Sequence, residues 1–245
     1  MNGAPASVTV WRVGLAAILG RPGVGAERLA GEERTRAAGF ADALAAKRFV
    51  ATRLALRALL ARRLGVAPDA VPLATNPDGR TVLAMPGPVF SVAHSGDMAL
   101  CALAARGDRL GVDLERLRPV PRALALAREV LGAEVARELE MLSPPGRATA
   151  FLAAWTRHEA LVKAADGGLA RALARPGGLH AGAGHLTCHA VPLPAGYVGA
   201  VAGTSPGPPE IRDFRPEWLD GRSRAPWGTM AAPTGMSSPL AAPGR

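Results

Sequence analysis

A long helical stretch followed by short apolar runs constrains the fold of this chain more than any other feature. Residues 40–65 place apolar side chains at helical spacing, and the stretch ends at Gly65, a residue suited to closing a helix. The runs "VFSVAHSG" and "MALCALAA" then predict two buried strands joined by a tight turn at Gly96 and Asp97. Because such a chain must pack helices against sheets, the predicted fold class is mixed α+β.

The remaining segments extend the same alternation. "NPDGRTVL" predicts a turn that enters a strand, and "LGVDLERL" predicts a strand that leads into a helix from about Arg122. We expect a long helix at about residues 148–165 and closing strands in "HLTCHAV" and "YVGAVAG". From Thr204 onward the sequence is rich in Pro and Gly and has no sustained periodicity, which predicts a disordered tail over residues 204–245.

Composition limits the class of protein and the partners that it can bind. Of the 245 residues, 49% are apolar and 20% are charged, which is typical of a globular chain with a sizeable core. The formal net charge of +9 favours an anionic partner, whether a nucleic acid, a phosphorylated small molecule or an acidic protein. The two cysteines, Cys101 and Cys188, do not suggest a disulfide framework, and no apolar run is long enough to span a membrane. We therefore expect a cytoplasmic protein.

Three residues recur at helical spacing in "WTRHEALVKAADG". Trp155, Glu159 and Lys163 are four residues apart, so a helix places them along one stripe. One interpretation is an ordinary ion pair between Glu159 and Lys163, worth about 0.2–0.5 kcal/mol. The other is a functional cation, because the chain has only two lysines among its 29 basic residues. The spacing leaves both interpretations open.

Two carboxylates share one face of the strand predicted in "GVDLE". The alternation of a strand sends Asp113 and Glu115 to the side opposite Val112 and Leu114. That face could be solvated, or it could bind Mg²⁺, which takes oxygen ligands and keeps waters and substrate phosphates. Glu159 would supply a third carboxylate if its helix packs across the end of the strand.

Arginine and histidine patterns indicate a site more weakly. Taken singly, most arginines of the first long helix would be surface residues, although together they could bind phosphate: Arg48, Arg53, Arg57, Arg62 and Arg63. His94, taken alone, favours a hydrogen-bonded structural role. A zinc site in "HAGAGHLTCH", with His180, His185, Cys188 and His189, is disfavoured, because a strand would point Cys188 away from the face shared by His185 and His189.

Three stretches in order resemble the motifs of one enzyme family. "FSVAHSGDMALCAL", "LGVDLERLRP" and "WTRHEALVKAADGGL" are similar to the motifs of 4'-phosphopantetheinyl transferases of the surfactin-synthetase-activating (Sfp) type, and the resemblance covers about residues 30–200. It implies two similar α+β halves related by a pseudo-twofold, here residues 1–108 and 109–203, with coenzyme A and Mg²⁺ in the cleft between them. Such enzymes move phosphopantetheine from coenzyme A to a serine of a carrier protein and release 3',5'-ADP.

The resemblance also implies roles for individual residues. Asp113, Glu115 and Glu159 would bind Mg²⁺, and Glu159 would also take the serine proton. Lys163 would neutralise phosphate charge as the leaving group departs. The positions that match coenzyme A-binding residues are Arg53, Arg80, His94, His158 and Lys163.

Two residues depart from the family pattern. His158 stands where the pattern has a lysine, and Ala93 stands where a serine often precedes the histidine. A neutral histidine weakens the positive charge near the phosphates, and the alanine removes one possible phosphate hydrogen bond. A family member that binds coenzyme A without turnover is therefore an alternative.

The sequence thus predicts a monomeric, Mg²⁺-dependent transferase that acts on acyl or peptidyl carrier proteins of fatty-acid, polyketide or nonribosomal-peptide assembly. A positive enzyme suits both polyanionic coenzyme A and acidic carrier domains. The alternative from another class is a basic nucleic-acid-binding protein, which a pI near 11.1 would favour. Because only 4% of the residues are aromatic and no recognised binding motif is present, we expect neither a nucleic-acid nor a membrane partner.

Overall fold

The structure is a computed structural model that describes residues 8–77, 79–165 and 186–221. Its strands are β1 (Val8–Gly14), β2 (Leu73–Thr75), β3 (Thr81–Leu83), β4 (Val89–Ser95), β5 (Met98–Ala104), β6 (Leu110–Arg116), β7 (Thr187–Ala190), β8 (Tyr197–Gly203) and β9 (Glu210–Asp213). Its α-helices are α1 (Leu15–Leu19), α2 (Gly31–Ala38), α3 (Ala43–Leu64), α4 (Ala123–Leu126), α5 (Ala133–Glu140) and α6 (Pro144–Ala164). The predicted α+β class is confirmed.

Two sheets and two long helices form successive layers. The first sheet has the strand order β4-β5-β1-β9 and the second has the order β6-β8-β7, while β2 and β3 form a separate hairpin. Side chains from both sheets share one apolar cluster, with Val10 and Leu100 from the first sheet and Val112 and Val201 from the second. The sheets therefore face each other across this cluster, and each has a second face to cover with a helix.

Helix α3 covers the outer face of the first sheet. The carboxylate of Asp42 accepts a hydrogen bond from the backbone N–H of Leu44 at 2.9 Å and caps the first turn. The helix closes at Gly65 in a left-handed conformation with φ of 72°, as predicted. Apolar residues such as Leu56 and Leu59 are fully buried and pack in one cluster with side chains of β1, β4 and β5.

Helix α6 covers the outer face of the second sheet with small residues. Ala160 and Ala164 pack against Ala200 and Ala202 of β8, so helix and sheet approach closely. The helix begins at Pro144 rather than at about residue 148, because a proline fits the first helical turn, where its missing N–H needs no partner. The helix predicted from Arg122 is also present, as α4 followed by a π-helical turn at Ala127–Leu131.

The strands predicted from the apolar runs are present. Strands β4 and β5 pair antiparallel around the turn at Gly96 and Asp97, with Ser95 opposite Met98. Strand β6 pairs antiparallel with β8, and β7 pairs with the other edge of β8. The turn predicted in "NPDGRTVL" joins β2 to β3, which pair antiparallel. None of the helices in the described part of the chain combines the length and apolar character needed to cross a bilayer.

The prediction of a disordered tail from residue 204 is wrong for residues 204–221. Strand β9 pairs parallel with β1 at the edge of the first sheet, and a 3₁₀ turn follows at Pro216–Asp220. Strand β9 forms because β1 offers it unpaired backbone groups. Phe214 and Leu219 are buried because the segment after β9 packs on α3. Residues 222–245 lie outside the described residues. The division at residue 108 and the pseudo-twofold stay predictions.

Candidate functional site

Strands β4 and β6 lie side by side where the two sheets meet, and two serines link them. Ser91 Oγ accepts a hydrogen bond from the backbone N–H of Val112 at 3.0 Å, and Ser95 Oγ accepts one from Arg116 N–H at 3.0 Å. Ser95 Oγ also donates to the Glu115 carboxylate at 3.1 Å. Sequence analysis missed these serines, although they are two of the odd-numbered β4 residues that face the second sheet. They join the strand of His94 to the strand of the two predicted acidic ligands.

Lys163 of α6 pairs with Asp113 of β6. The Lys163 ammonium donates to Asp113 Oδ1 at 2.7 Å and to the carbonyl oxygen of Val112 at 3.1 Å. Within the described residues its ion pair is therefore with a carboxylate of the sheet, rather than with Glu159 one turn earlier. The side chain of Asp113 is buried, so a solvated strand face is the wrong interpretation for this residue. The pair fixes α6 on β6.

The close approach of α6 to β6 depends on Gly111. A Cβ atom at this position would lie 2.1 Å from the Ala160 carbonyl oxygen and 2.6 Å from the Ala164 nitrogen. Gly111→Ala should therefore push α6 away from β6 and lower the free energy of unfolding by about 1–3 kcal/mol. Urea unfolding followed by circular dichroism would measure this. Gly207→Ala is the matched control, because a Cβ there meets no atom within 4 Å; equal stability of the two variants would contradict the close contact.

Glu159 of α6 is a buried acid with an unused oxygen. Its side chain is 9% exposed, and Oε1 has no hydrogen-bond partner in the described part of the chain. Burial raises the pKa of Glu159, the charges of Asp113 and Glu115 raise it further, and Lys163 lowers it. Burial also raises the pKa of Asp113, against the effect of Lys163. The structure thus brings the three predicted carboxylates close enough to act on one another.

This arrangement suits a divalent cation chemically. All three groups are carboxylates, the ligand type that Mg²⁺ prefers, and an added positive charge would offset both their repulsion and their burial. In residues 8–77, 79–165 and 186–221, however, no three His, Cys, Asp or Glu side chains are gathered as ready metal ligands. The ammonium of Lys163 lies against Asp113 instead. Of the zinc alternative, His180 and His185 lie outside the described residues.

A cationic region surrounds His94 of β4. Burial lowers the pKa of His94, and the positive charges of Arg48, Arg53, Lys163 and Arg36 lower it further. His94 is therefore neutral at pH 7 and adds no positive charge of its own. Lys163 belongs to α6, and the arginines belong to α2 and α3. The region therefore includes residues from the helices on both sides of the two sheets. It is suited to an anionic ligand that reaches the acidic groups.

The prediction of surface arginines on α3 is wrong for Arg53 and Arg57, which are 7% and 1% exposed. Arg57 Nε donates to Glu33 Oε2 at 2.7 Å, and Arg53 Nη2 donates to Thr81 Oγ1 at 2.7 Å. Burial lowers the pKa of Arg53. Glu33 was not predicted from the sequence, because the burial of two arginines one turn apart, which favours a nearby carboxylate, is seen only in the structure.

Arg80 and His158 are placed differently from each other. Arg80 lies between β2 and β3, where its backbone N–H donates to Asn76 Oδ1 at 2.8 Å. His158 is 8% exposed and packs against Trp155, with ring centroids 6.2 Å apart. Burial lowers the pKa of His158, so it is neutral at pH 7 and adds no charge there. On α6, Lys163 is thus the cation beside the acidic groups.

Comparison with known proteins shows which family this chain is similar to. Residues 109–181, which include β6 and α6, match the family model of the 4'-phosphopantetheinyl transferase superfamily. The resemblance seen in the three motifs is confirmed at the level of this superfamily. The Sfp type within it stays a prediction.

Individual relatives agree with this class. The chain is 35% identical to slr0495 of Synechocystis over 148 residues, which are 59% of this chain and 60% of the relative. It is 33% identical to the 4'-phosphopantetheinyl transferase HetI of Nostoc over 60% of this chain and 63% of the relative. It is 34% identical to the 4'-phosphopantetheinyl transferase AcpT of Salmonella typhimurium over 48% of this chain and 59% of the relative. The chain thus spans about three fifths of the length of these curated relatives.

Proposed function

We propose that this protein transfers the phosphopantetheine group of coenzyme A to a serine of an acyl or peptidyl carrier protein. The observation that carries the proposal is the meeting of a cationic region around His94 with the acidic residues beside Lys163. The superfamily match over β6 and α6 supports the same reaction. The monomeric state and the cytoplasmic location stay predictions.

Coenzyme A fits the charge of the site. It carries a 3'-phosphate and a pyrophosphate, and both are anions that guanidinium groups bind well. Arg36 and Arg53 line one cavity and offer positive charge where the nucleotide would lie, whereas Arg48 is paired with Asp97 at 2.7 Å. Arg80, between β2 and β3, is also proposed to bind the nucleotide.

Mg²⁺ is the metal that fits the acidic residues. Asp113, Glu115 and Glu159 would hold it, because they supply oxygen ligands only and Glu159 Oε1 is buried without a partner in the described residues. When bound, the ion would neutralise charge on the pyrophosphate.

The protein's own residues would move one proton and stabilise one leaving group. Glu159 would accept the proton of the carrier serine as the serine oxygen forms its bond to phosphorus. The bond from that phosphorus to 3',5'-ADP would break, and the ammonium of Lys163 would stabilise the negative charge that develops on the departing phosphate. The raised pKa of Glu159 suits a proton acceptor, since it brings the pKa nearer to the working pH.

Mass spectrometry of apo carrier proteins tests the proposal directly. Several apo acyl and peptidyl carrier proteins would be incubated with the protein, coenzyme A and Mg²⁺, and the mass of phosphopantetheine should be added at the carrier serine. If no carrier gains this mass, while the protein binds DNA with a steep salt dependence, the nucleic-acid alternative is favoured instead.

Lys163→Met should lower the turnover number about a hundredfold, which is roughly 3 kcal/mol of lost transition-state stabilisation. The reason is that the ammonium beside Asp113 is the cation of α6 nearest to the acidic residues. Steady-state kinetics at saturating coenzyme A would measure the effect. Lys47→Met is the matched control, because Lys47 is the other of the two lysines in the sequence and is exposed on α3. Wild-type turnover in Lys163→Met would show that this lysine only holds α6 on β6.

A further inference from the structure

Two arginines of α3 lie beside the Glu33 carboxylate, but of the two only Arg57 is hydrogen-bonded to it. Arg57 Nε donates to Glu33 Oε2 at 2.7 Å, and its Nη1 donates to the carbonyl oxygens of Pro68 at 3.0 Å and Val71 at 3.1 Å. Arg57 is 1% exposed. Its charge and hydrogen-bonding groups are therefore taken up by the protein itself. Glu33 uses Oε2 for this bond, and its Oε1 has no hydrogen-bond partner in the described residues.

Arg53, one turn earlier, is left with unused binding capacity. Its Nε lies 3.9 Å from Glu33 Oε1, beyond hydrogen-bond distance. Its Nη2 donates to Thr81 Oγ1 at 2.7 Å, while its Nη1 is buried and has no hydrogen-bond partner in the described residues. A guanidinium that is 7% exposed and incompletely bonded is costly to bury, so an anionic ligand would stabilise it.

A cavity of about 330 Å³ lies beside this guanidinium. Arg53, Arg36 and Thr81 all line it, and the guanidinium carbons of both arginines lie 5.2–5.4 Å from the ring centroid of Phe49. The cavity, which Glu32 and Glu33 also line, therefore presents two guanidinium groups, and one of them carries the unsatisfied donor. An anion the size of a phosphate group fits its volume and could pair with the two guanidinium groups.

We propose that Thr81 is a positioning residue that holds Arg53 so that its free Nη1 meets the 3'-phosphate of coenzyme A. A guanidinium is planar and rigid, so fixing Nη2 on the threonine hydroxyl also fixes the direction of Nη1. Thr81 thereby determines selectivity for a 3'-phosphorylated nucleotide. This inference rests on the proposed function for the identity of the nucleotide.

Binding of 3',5'-ADP and of 5'-AMP separates this role from a structural one. The two nucleotides differ only in the 3'-phosphate, and isothermal titration calorimetry on the full chain needs no carrier protein. Thr81→Val should raise the dissociation constant of 3',5'-ADP about tenfold, as expected for one hydrogen bond that orients a charged group, and should leave that of 5'-AMP unchanged. Thr81→Ser, which keeps the hydroxyl, should restore wild-type binding.

Thr187→Val is the matched control. Thr187 is also half-buried on a strand, and its Oγ1 lies 2.6 Å from the carbonyl oxygen of Ser205, just after β8, to which it donates. The Thr187→Val variant should have the wild-type dissociation constants for both nucleotides.

Three results would overturn the inference about Thr81. The first is that Thr81→Val weakens the binding of both nucleotides equally, and the second is that it leaves the dissociation constant of 3',5'-ADP unchanged. The third is that the wild type binds 3',5'-ADP no more tightly than 5'-AMP. Selective 3',5'-ADP binding that depends on Thr81, together with no phosphopantetheine transfer to any carrier, would support this inference and contradict the proposed function alone.

Discussion

Removal of residues 204–245 is expected to unfold the protein. The deletion takes away β9, the parallel partner of β1, and the buried side chains of Phe214 and Leu219. Loss of one large buried apolar side chain costs about 2–5 kcal/mol, and a whole domain is stabilised by only about 5–15 kcal/mol. The deletion also removes Trp218, whose ring lies 4.7 Å from the guanidinium of Arg62. The expected result is loss of the cooperative thermal transition in calorimetry.

A chain that ends at Gly221 is the control for this deletion. It lacks residues 222–245, which are also rich in Pro and Gly, but it keeps β9, Phe214 and Leu219. It should therefore unfold cooperatively like the full chain. In the full chain, Leu219→Ala should lower the free energy of unfolding by about 2–5 kcal/mol, whereas Leu142→Ala, at a residue 39% exposed, should change it little. A cooperative transition at the wild-type temperature after deletion of residues 204–245 would show that β9 adds little to the core.

Glu159→Gln is expected to lower transfer at least a thousandfold while making the metal-free protein more stable. The substitution removes both the proposed proton acceptor and one proposed Mg²⁺ ligand, and general-base catalysis alone is worth about 10²–10⁴ in rate. The gain in stability follows from burial of the charge. The pKa of Glu159 is raised in the folded protein, first by burial and then by the charge of Asp113.

The sign of this effect depends on pH. Because the folded state raises the pKa of Glu159, its contribution to stability is fully present below the pKa of the unfolded chain and is lost as pH rises through the raised value. At neutral pH the ionised carboxylate therefore opposes folding, and a neutral glutamine removes that penalty. Thermal unfolding in the presence of a chelator should show a higher midpoint for Glu159→Gln than for the wild type at pH 7.5, with the difference shrinking at acidic pH.

Addition of Mg²⁺ should reverse that order. A ligand that binds only the folded state raises its stability by mass action, so Mg²⁺ should raise the unfolding midpoint of the wild type more than that of Glu159→Gln. Glu138→Gln on α5 is the matched control, because Glu138 is an exposed helical glutamate. Equal Mg²⁺ responses of all three proteins would contradict the assignment of Glu159 as a ligand, and retained transfer in Glu159→Gln would contradict its role as proton acceptor.

Local patterns in the sequence predicted the elements well. The helical spacing of residues 40–65 and the alternation in "GVDLE" depend only on which neighbours along the chain can face the same side, so α3 and β6 were correctly anticipated. The same local rule placed Glu159 and Lys163 on one stripe of α6. The order of the motifs along the chain also indicated a resemblance to the superfamily whose model matches residues 109–181.

The segment after Thr204 shows where composition misleads. Averaged over residues 204–245, Pro and Gly dominate, and the short "EIRDF" stretch that forms β9 and adds Phe214 to the core is hidden in that average. Its conformation is decided by β1, just over two hundred residues earlier, which supplies the backbone groups that β9 needs. A short edge strand gains its hydrogen bonds from its partner and not from its own sequence.

By itself, then, the sequence determined the α+β class, the helices and strands with strong periodicity, and which residues were chemically able to form a site. The tertiary structure alone decided which of them meet. It paired Lys163 with Asp113 across fifty residues instead of with Glu159 one turn away, and it buried Arg53 and Arg57 around Glu33. The physical reason is that hydrogen bonds, burial and charge act over a few ångströms in space, and separation along the chain does not define that distance once sheets and helices have packed.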